Sequence, residues 1–114
     1  MSKEIVITTG GANGLGLELV KKFIEKNYFV CNIDRDFERM QILDNTYKNN
    51  YKGFVGDISD SLFVKDTINQ ISALGNIKIL INNAGEPAFK LPIQYEKEDM
   101  KKKIWTNVLK DYKE

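Results

Sequence analysis

The sequence predicts an α/β fold, a parallel sheet of about four strands covered by helices on both faces. Three observations carry this. Short apolar runs alternate with longer amphipathic stretches through four consecutive β-α units. The runs are continuously apolar rather than alternating, as expected when both faces of a parallel sheet are buried. A glycine-rich turn joins the first run to the stretch behind it.

Taken in order, residues 5–8 form the first strand around Ile5, Val6 and Ile7, and residues 14–26 the first helix, with Leu15, Leu19 and Phe23 as its expected sheet-facing stripe. Residues 29–33 give the second strand, 36–47 the second helix and 53–56 the third strand. Residues 60–74 follow as a helix in which Val64, Ile68 and Ile71 recur at helical spacing. Residues 77–81 are the fourth strand and 97–112 a last helix carrying Met100, Ile104, Trp105, Val108, Leu109 and Tyr112. That last stripe is broad enough to pack on the sheet or to anchor a subunit interface.

The totals narrow the function classes. A chain of 114 residues is one domain's worth, and its 17 basic and 16 acidic residues leave a formal charge of +1. Such a balance gives no general pull toward nucleic acid or an anionic membrane. The lone cysteine, Cys31, lies in an apolar strand and cannot form an intramolecular disulfide, so it reads as core in a reduced, cytoplasmic setting. No signal-peptide core precedes the first strand, and no apolar run approaches the ~18 residues of a membrane span.

The chemistry concentrates in Thr9-Gly10-Gly11-Ala12-Asn13-Gly14-Leu15-Gly16. A glycine turn between strand and helix lets main-chain N–H groups approach a diphosphate, and the helix N-terminus behind it carries about half a positive charge. Leu17 and Glu18 after Gly16 exclude a Walker loop, and Leu19 stands where G-x-G-x-x-G needs its third glycine. The pattern is Thr-Gly-x-x-x-Gly-x-Gly. Asp34 ends the second strand, where a carboxylate can accept from ribose hydroxyls and repel a 2′-phosphate, which predicts NAD over NADP. Arg35 beside it could instead receive that phosphate, and Asp34 could also serve the macrodipole of the following helix. Asp57, after the third strand, is left as an adenine-edge contact or a helix cap. A phosphoacceptor role for it would need an acidic pair after the first strand, where Thr9 and Gly10 stand.

With Asn82-Asn83-Ala84-Gly85 after the fourth strand, these motifs in this order resemble the short-chain dehydrogenase/reductase family, over residues 3 to about 109. The resemblance implies a Rossmann-type doubly wound sheet, here truncated to about four strands in the order 3-2-1-4, and residues 1–114 as an incomplete NAD(P)-binding domain. It implies that Gly10, Asn13, Gly14, Leu15 and Gly16 line the diphosphate turn, with Asp34 and Arg35 at the adenosine ribose and Asp57 and Ile58 at the adenine. Asn83, Ala84 and Gly85 would pass near the second ribose. Asn107 matches the family's helix asparagine, which helps hold a proton-relay water.

The family's chemistry also needs a serine after a fifth strand and a Tyr-x-x-x-Lys, whose lysine lowers the tyrosine pKa. No tyrosine of this chain has a lysine four residues on, and there is no histidine to stand in. Hydride transfer by these 114 residues alone is therefore not expected. The leading reading is the cofactor-binding part of an NAD-dependent oxidoreductase. Its alternatives are a non-enzymatic nucleotide-binding module and a self-associating remnant without a ligand. The polar run 109–114 reads as a natural or frameshifted stop. Lacking a fifth parallel strand, the fourth strand becomes an exposed edge, so a homodimer or higher oligomer is expected across that edge, the last helix, or both.

Overall fold

The apolar runs pair as parallel strands in the computed structural model, which describes residues 3–82 and, as backbone, residues 93–96. β1 (Lys3–Thr9), β2 (Phe29–Asp34), β3 (Tyr51–Val55) and β4 (Gly75–Asn82) alternate with helices α1 (Gly14–Glu25), α2 (Phe37–Thr46) and α3 (Ser61–Ser72). A short strand β5 (Ile93–Glu96) completes the sheet, whose order is β3-β2-β1-β4-β5. The four parallel strands thus take the predicted order 3-2-1-4. Both faces are filled because the central run of β1 is apolar on both sides: Ile5, Val6 and Ile7 are all fully buried.

Strand periodicity divides the core into two clusters. Ile5, Ile7, Cys31, Ile33 and Leu80 meet Val64, Ile68 and Ile71 of α3 on one face. Val6, Val30, Ile79 and Ile81 meet Val20 of α1 and Met40 and Leu43 of α2 on the other. The predicted stripe of α3 is the buried one. Cys31 is core as expected, and burial pushes its thiol pKa up to about 12.

α1 meets the predicted stripe at Leu19 and Phe23, which pack half-buried against the core, and departs from it at Leu15. Its buried residues are Gly16 and Val20, and Leu15 is 54% exposed. The apolar residues Leu15, Leu17, Leu19, Val20, Phe23 and Ile24 cover more than one face, so apolar spacing leaves the helix phase open. In the first turn it is Gly16, without a side chain, that is turned inward.

The fourth strand also differs. Residues Ile79 to Asn82 pair antiparallel with β5, so the C-terminal half of β4 is not the free edge that was expected. β5 escapes the sequence reading because it is four residues long and lies between the fourth apolar run and the last amphipathic stretch. Within β4, the register against β1 shifts between Ile5↔Ile77 and Val6↔Ile79, leaving Lys78 as the extra residue. This bulge reverses the phase: Ile77 packs with the α3-side cluster, whereas Ile79 lies on the opposite face. Among the described residues no helix is long and apolar enough to cross a membrane. The predicted last helix, 97–112, lies outside the described residues.

Candidate dinucleotide site

The chain crosses from one side of β1 to the other at the β3-to-β4 connection, which puts a switch point at the C-terminal ends of β1 and β4. The glycine loop leaves β1 at this end. Gly10 and Gly14 both have positive φ, +70° and +56°, so the turn demands residues free of a Cβ at two of the three predicted fixed points. A Cβ built on Gly14 would meet nothing within 4 Å: the loop is open to a ligand there.

The loop's amides fall into two groups. Those of its first half are held by the protein itself. Gly10 N–H donates to the Ile33 carbonyl at 2.8 Å, Gly11 N–H to Asn32 Oδ1 at 2.9 Å, and Ala12 N–H to Asp34 Oδ2 at 3.1 Å. The second half is the first turn of α1, whose N–H groups have no partner within the helix. Asn13, the N-cap residue, makes no side-chain cap bond; its Nδ2 donates across the loop to Asp36 Oδ2 at 3.3 Å. The first turn of α1 carries no acidic residue, whereas α2 and α3 are capped by the carboxylates of Asp36 and Asp60. The arrangement leaves the positive end of the α1 dipole at the mouth of the loop, with exposed Leu15 beside it.

Asp34 stands at the end of β2 with its carboxylate oriented by two main-chain donors, Ala12 N–H and Asp36 N–H at 3.0 Å. A carboxylate offers about four acceptor positions, so two hydroxyl donors can still be received. The N-cap of α2 is Asp36, so Asp34 is not itself the cap. Arg35 is exposed next to it. Asp57 follows β3 close by, since Gly56 N–H donates to the Asp34 carbonyl at 3.1 Å. The helix-cap alternative for Asp57 does not hold, because α3 is capped by Asp60 through Leu62 and Phe63 N–H. Asp57 Oδ1 instead accepts from Ser59 N–H and the Ser59 hydroxyl, and these bonds, helped by the nearby Arg35 charge, hold its pKa below the usual carboxylate value. Ile58 is buried in the core.

The structure therefore gathers Gly10, Asn13, Gly14, Leu15, Gly16, Asp34, Arg35, Asp57 and Ile58 at one end of the sheet. Asn83, Ala84, Gly85 and Asn107 lie outside the described residues. Asn82 ends β4, where its Oδ1 accepts from the Thr9 hydroxyl at 2.7 Å and ties β4 to β1.

Two residues escaped the sequence reading. Gly11 is tightly packed, so that a side chain there forces its neighbours to shift: a Cβ would press into the Asn32 carboxamide and stand 2.8 Å from Val20 Cγ2. Asn32 is fully buried and receives the Gly11 N–H. The signal that could have found it is a polar amide within the apolar run Phe29-Val30-Cys31-Asn32-Ile33.

Comparison with known proteins agrees with this geometry. The family model for short chain dehydrogenases matches residues 4–110. A cis-2,3-dihydrobiphenyl-2,3-diol dehydrogenase of Paraburkholderia xenovorans is 36% identical over 83 residues, 72% of this chain and 30% of that protein. A 3alpha-hydroxysteroid dehydrogenase of Mediterraneibacter gnavus is 30% identical, with 95% of this chain and 46% of that protein covered. Among solved structures, ElxO with NADP bound superposes with a TM-score of 0.69 at 26% identity, over 97% of this chain and 49% of that one. The chain spans about a third of the length of the first curated relatives it matches.

Proposed function

Because the chain belongs to the short-chain dehydrogenase family, we propose that its 114 residues form the dinucleotide-holding part of an NAD-dependent oxidoreductase. The observation that carries this reading is the glycine loop itself. Gly14 enters α1 at φ +56° with open space above it, while the loop's inward amides are already bonded. The residues present fit a diphosphate: main-chain N–H groups of Gly14, Leu15 and Gly16 at an uncapped helix start would hold it. Asp34 would take the adenosine ribose hydroxyls, Asp57 and the main chain of Ile58 the adenine. Asn83, Ala84 and Gly85 would border the second ribose, and Asn107 would support a proton relay.

NAD when bound supplies the hydride acceptor. The part assigned to this chain is to bind and orient it. The choice of NAD over NADP is supported by Asp34, whose carboxylate would repel a 2′-phosphate. The solved relative bound to NADP makes this the point to test, and Arg35 is the residue that would favour the phosphate. A reduced, cytoplasmic setting belongs to the same reading, supported by the lone buried thiol of Cys31.

The reading predicts that Asp34→Ala weakens NAD binding by about tenfold or more, the scale of lost hydrogen bonds to a charged group, and weakens NADP less. Titration calorimetry with both nucleotides measures it. Equal losses for the two would remove the NAD preference.

A further inference from the structure

The amide that anchors the glycine loop to the sheet belongs to a side chain with no place in the family motif. Asn32 sits in the middle of β2, fully buried, on the face that carries α1 and α2. Burying a carboxamide is unfavourable unless its polar atoms are paired, and here each is paired twice. Oδ1 accepts from the Thr8 hydroxyl of β1 at 2.9 Å and from Gly11 N–H of the loop at 2.9 Å. Nδ2 donates to Tyr51 Oη of β3 at 3.2 Å and to Met40 Sδ of α2 at 3.3 Å. The Tyr51 hydroxyl also donates to Met40 Sδ at 3.3 Å. Two strands, one helix and the loop thus converge on one side chain.

The orientation of this amide is fixed by chemistry. Gly11 N–H is a main-chain donor that cannot reverse, so the atom facing it must be the oxygen. The fit is also steric, since Gly11 packs so closely on the carboxamide that a Cβ at position 11 has no room. An apolar residue at position 32 would take away the acceptor of Gly11 N–H and of the Thr8 hydroxyl in a buried site, while the Tyr51 hydroxyl would keep its bond to Met40 Sδ. The loop could recover only by lifting toward water.

We propose that Asn32 is a positioning residue for the ligand's diphosphate: by clamping Gly11 to the sheet it sets the height at which the first-turn amides of α1 present themselves. The inference rests on the dinucleotide reading above. It assigns to Asn32 an effect on ligand binding without contact to the ligand.

The test uses the 114-residue chain, with circular dichroism confirming that each variant folds. Wild type, Asn32→Leu and Tyr51→Phe are titrated with ADP-ribose and with adenosine, which has no diphosphate, and amide hydrogen exchange is followed at Gly11. Asn32→Leu is expected to weaken ADP-ribose by about tenfold or more, to leave adenosine within about twofold, and to speed exchange at Gly11 relative to Ile7 and Ile33. Tyr51→Phe keeps the bond to Gly11 and is expected to lower stability with the ADP-ribose to adenosine ratio unchanged. Should Asn32→Leu not fold, Gly11→Ala displaces the same carboxamide from the loop side and carries the same expectation. Unchanged ADP-ribose affinity, or equal losses of both ligands, overturns the positioning role. If wild type binds neither ligand, the dinucleotide reading fails instead, and unaltered Gly11 exchange in the folded variant would separately refute the clamp.

Discussion

At the scale of single residues, the site depends on two glycines for different reasons. Gly14 is required by its backbone, at φ +56°, with no neighbour for a Cβ to strike. Gly14→Ala should therefore cost about 1–2 kcal/mol, the penalty of an L-residue in the left-handed region, measurable by urea unfolding. Gly11 is required by its surroundings, and Gly11→Ala should cost about 1–3 kcal/mol by overpacking against Asn32 and Val20. The first requirement is legible from spacing, because Gly14 belongs to a motif. The second depends on a contact across 21 residues of sequence, between Gly11 and Asn32, that no local pattern carries.

Cys31 supplies a pH prediction. Its folded pKa is raised, from 9.0 to about 12, by burial. The folded state thus holds the proton more tightly than the unfolded chain. The contribution to stability is whole below pH 9 and is lost as pH rises from there toward 12. Tyr51 shifts in the same direction, again chiefly by burial. Urea midpoints should fall from pH 9 upward, and the fall should be shallower in Cys31→Ala; an equal slope in both would contradict the assignment to this thiol.

At the scale of elements, capping and helix phase decide the outcomes. Asp60→Ala should cost about 1 kcal/mol, because the Asp60 carboxylate accepts two N–H groups at the start of α3. In α1, Val20→Ala should cost about 2 kcal/mol, from two buried carbons and the space they leave, whereas Leu15→Ala should change stability by less than about 0.5 kcal/mol. Comparable losses at the two positions would return Leu15 to the core. Apolar periodicity settles α3, whose Val64, Ile68 and Ile71 form a single buried stripe. It leaves α1 undecided, because six apolar residues spread around the helix and the deciding residue, Gly16, has no side chain to register in a hydrophobic pattern.

At the scale of the whole molecule, the parallel sheet follows from the alternation of runs and its strand order from the family resemblance, which also gives the expected place of the candidate site at the C-terminal ends of β1 and β4. The pairing of β4 follows from neither. β5 adds a short antiparallel strand over Ile79 to Asn82, so the bare edge expected there is paired and the sheet's outer edge passes to β5. The sheet supports one central claim, that an open glycine turn backed by an uncapped helix start and flanked by Asp34 is built for a dinucleotide diphosphate. Calorimetric titration of the 114-residue chain with ADP-ribose and NAD tests it most directly. The account predicts saturable heat at one site for both, weakened by Gly14→Ala; absence of heat with either nucleotide from the folded chain would contradict it.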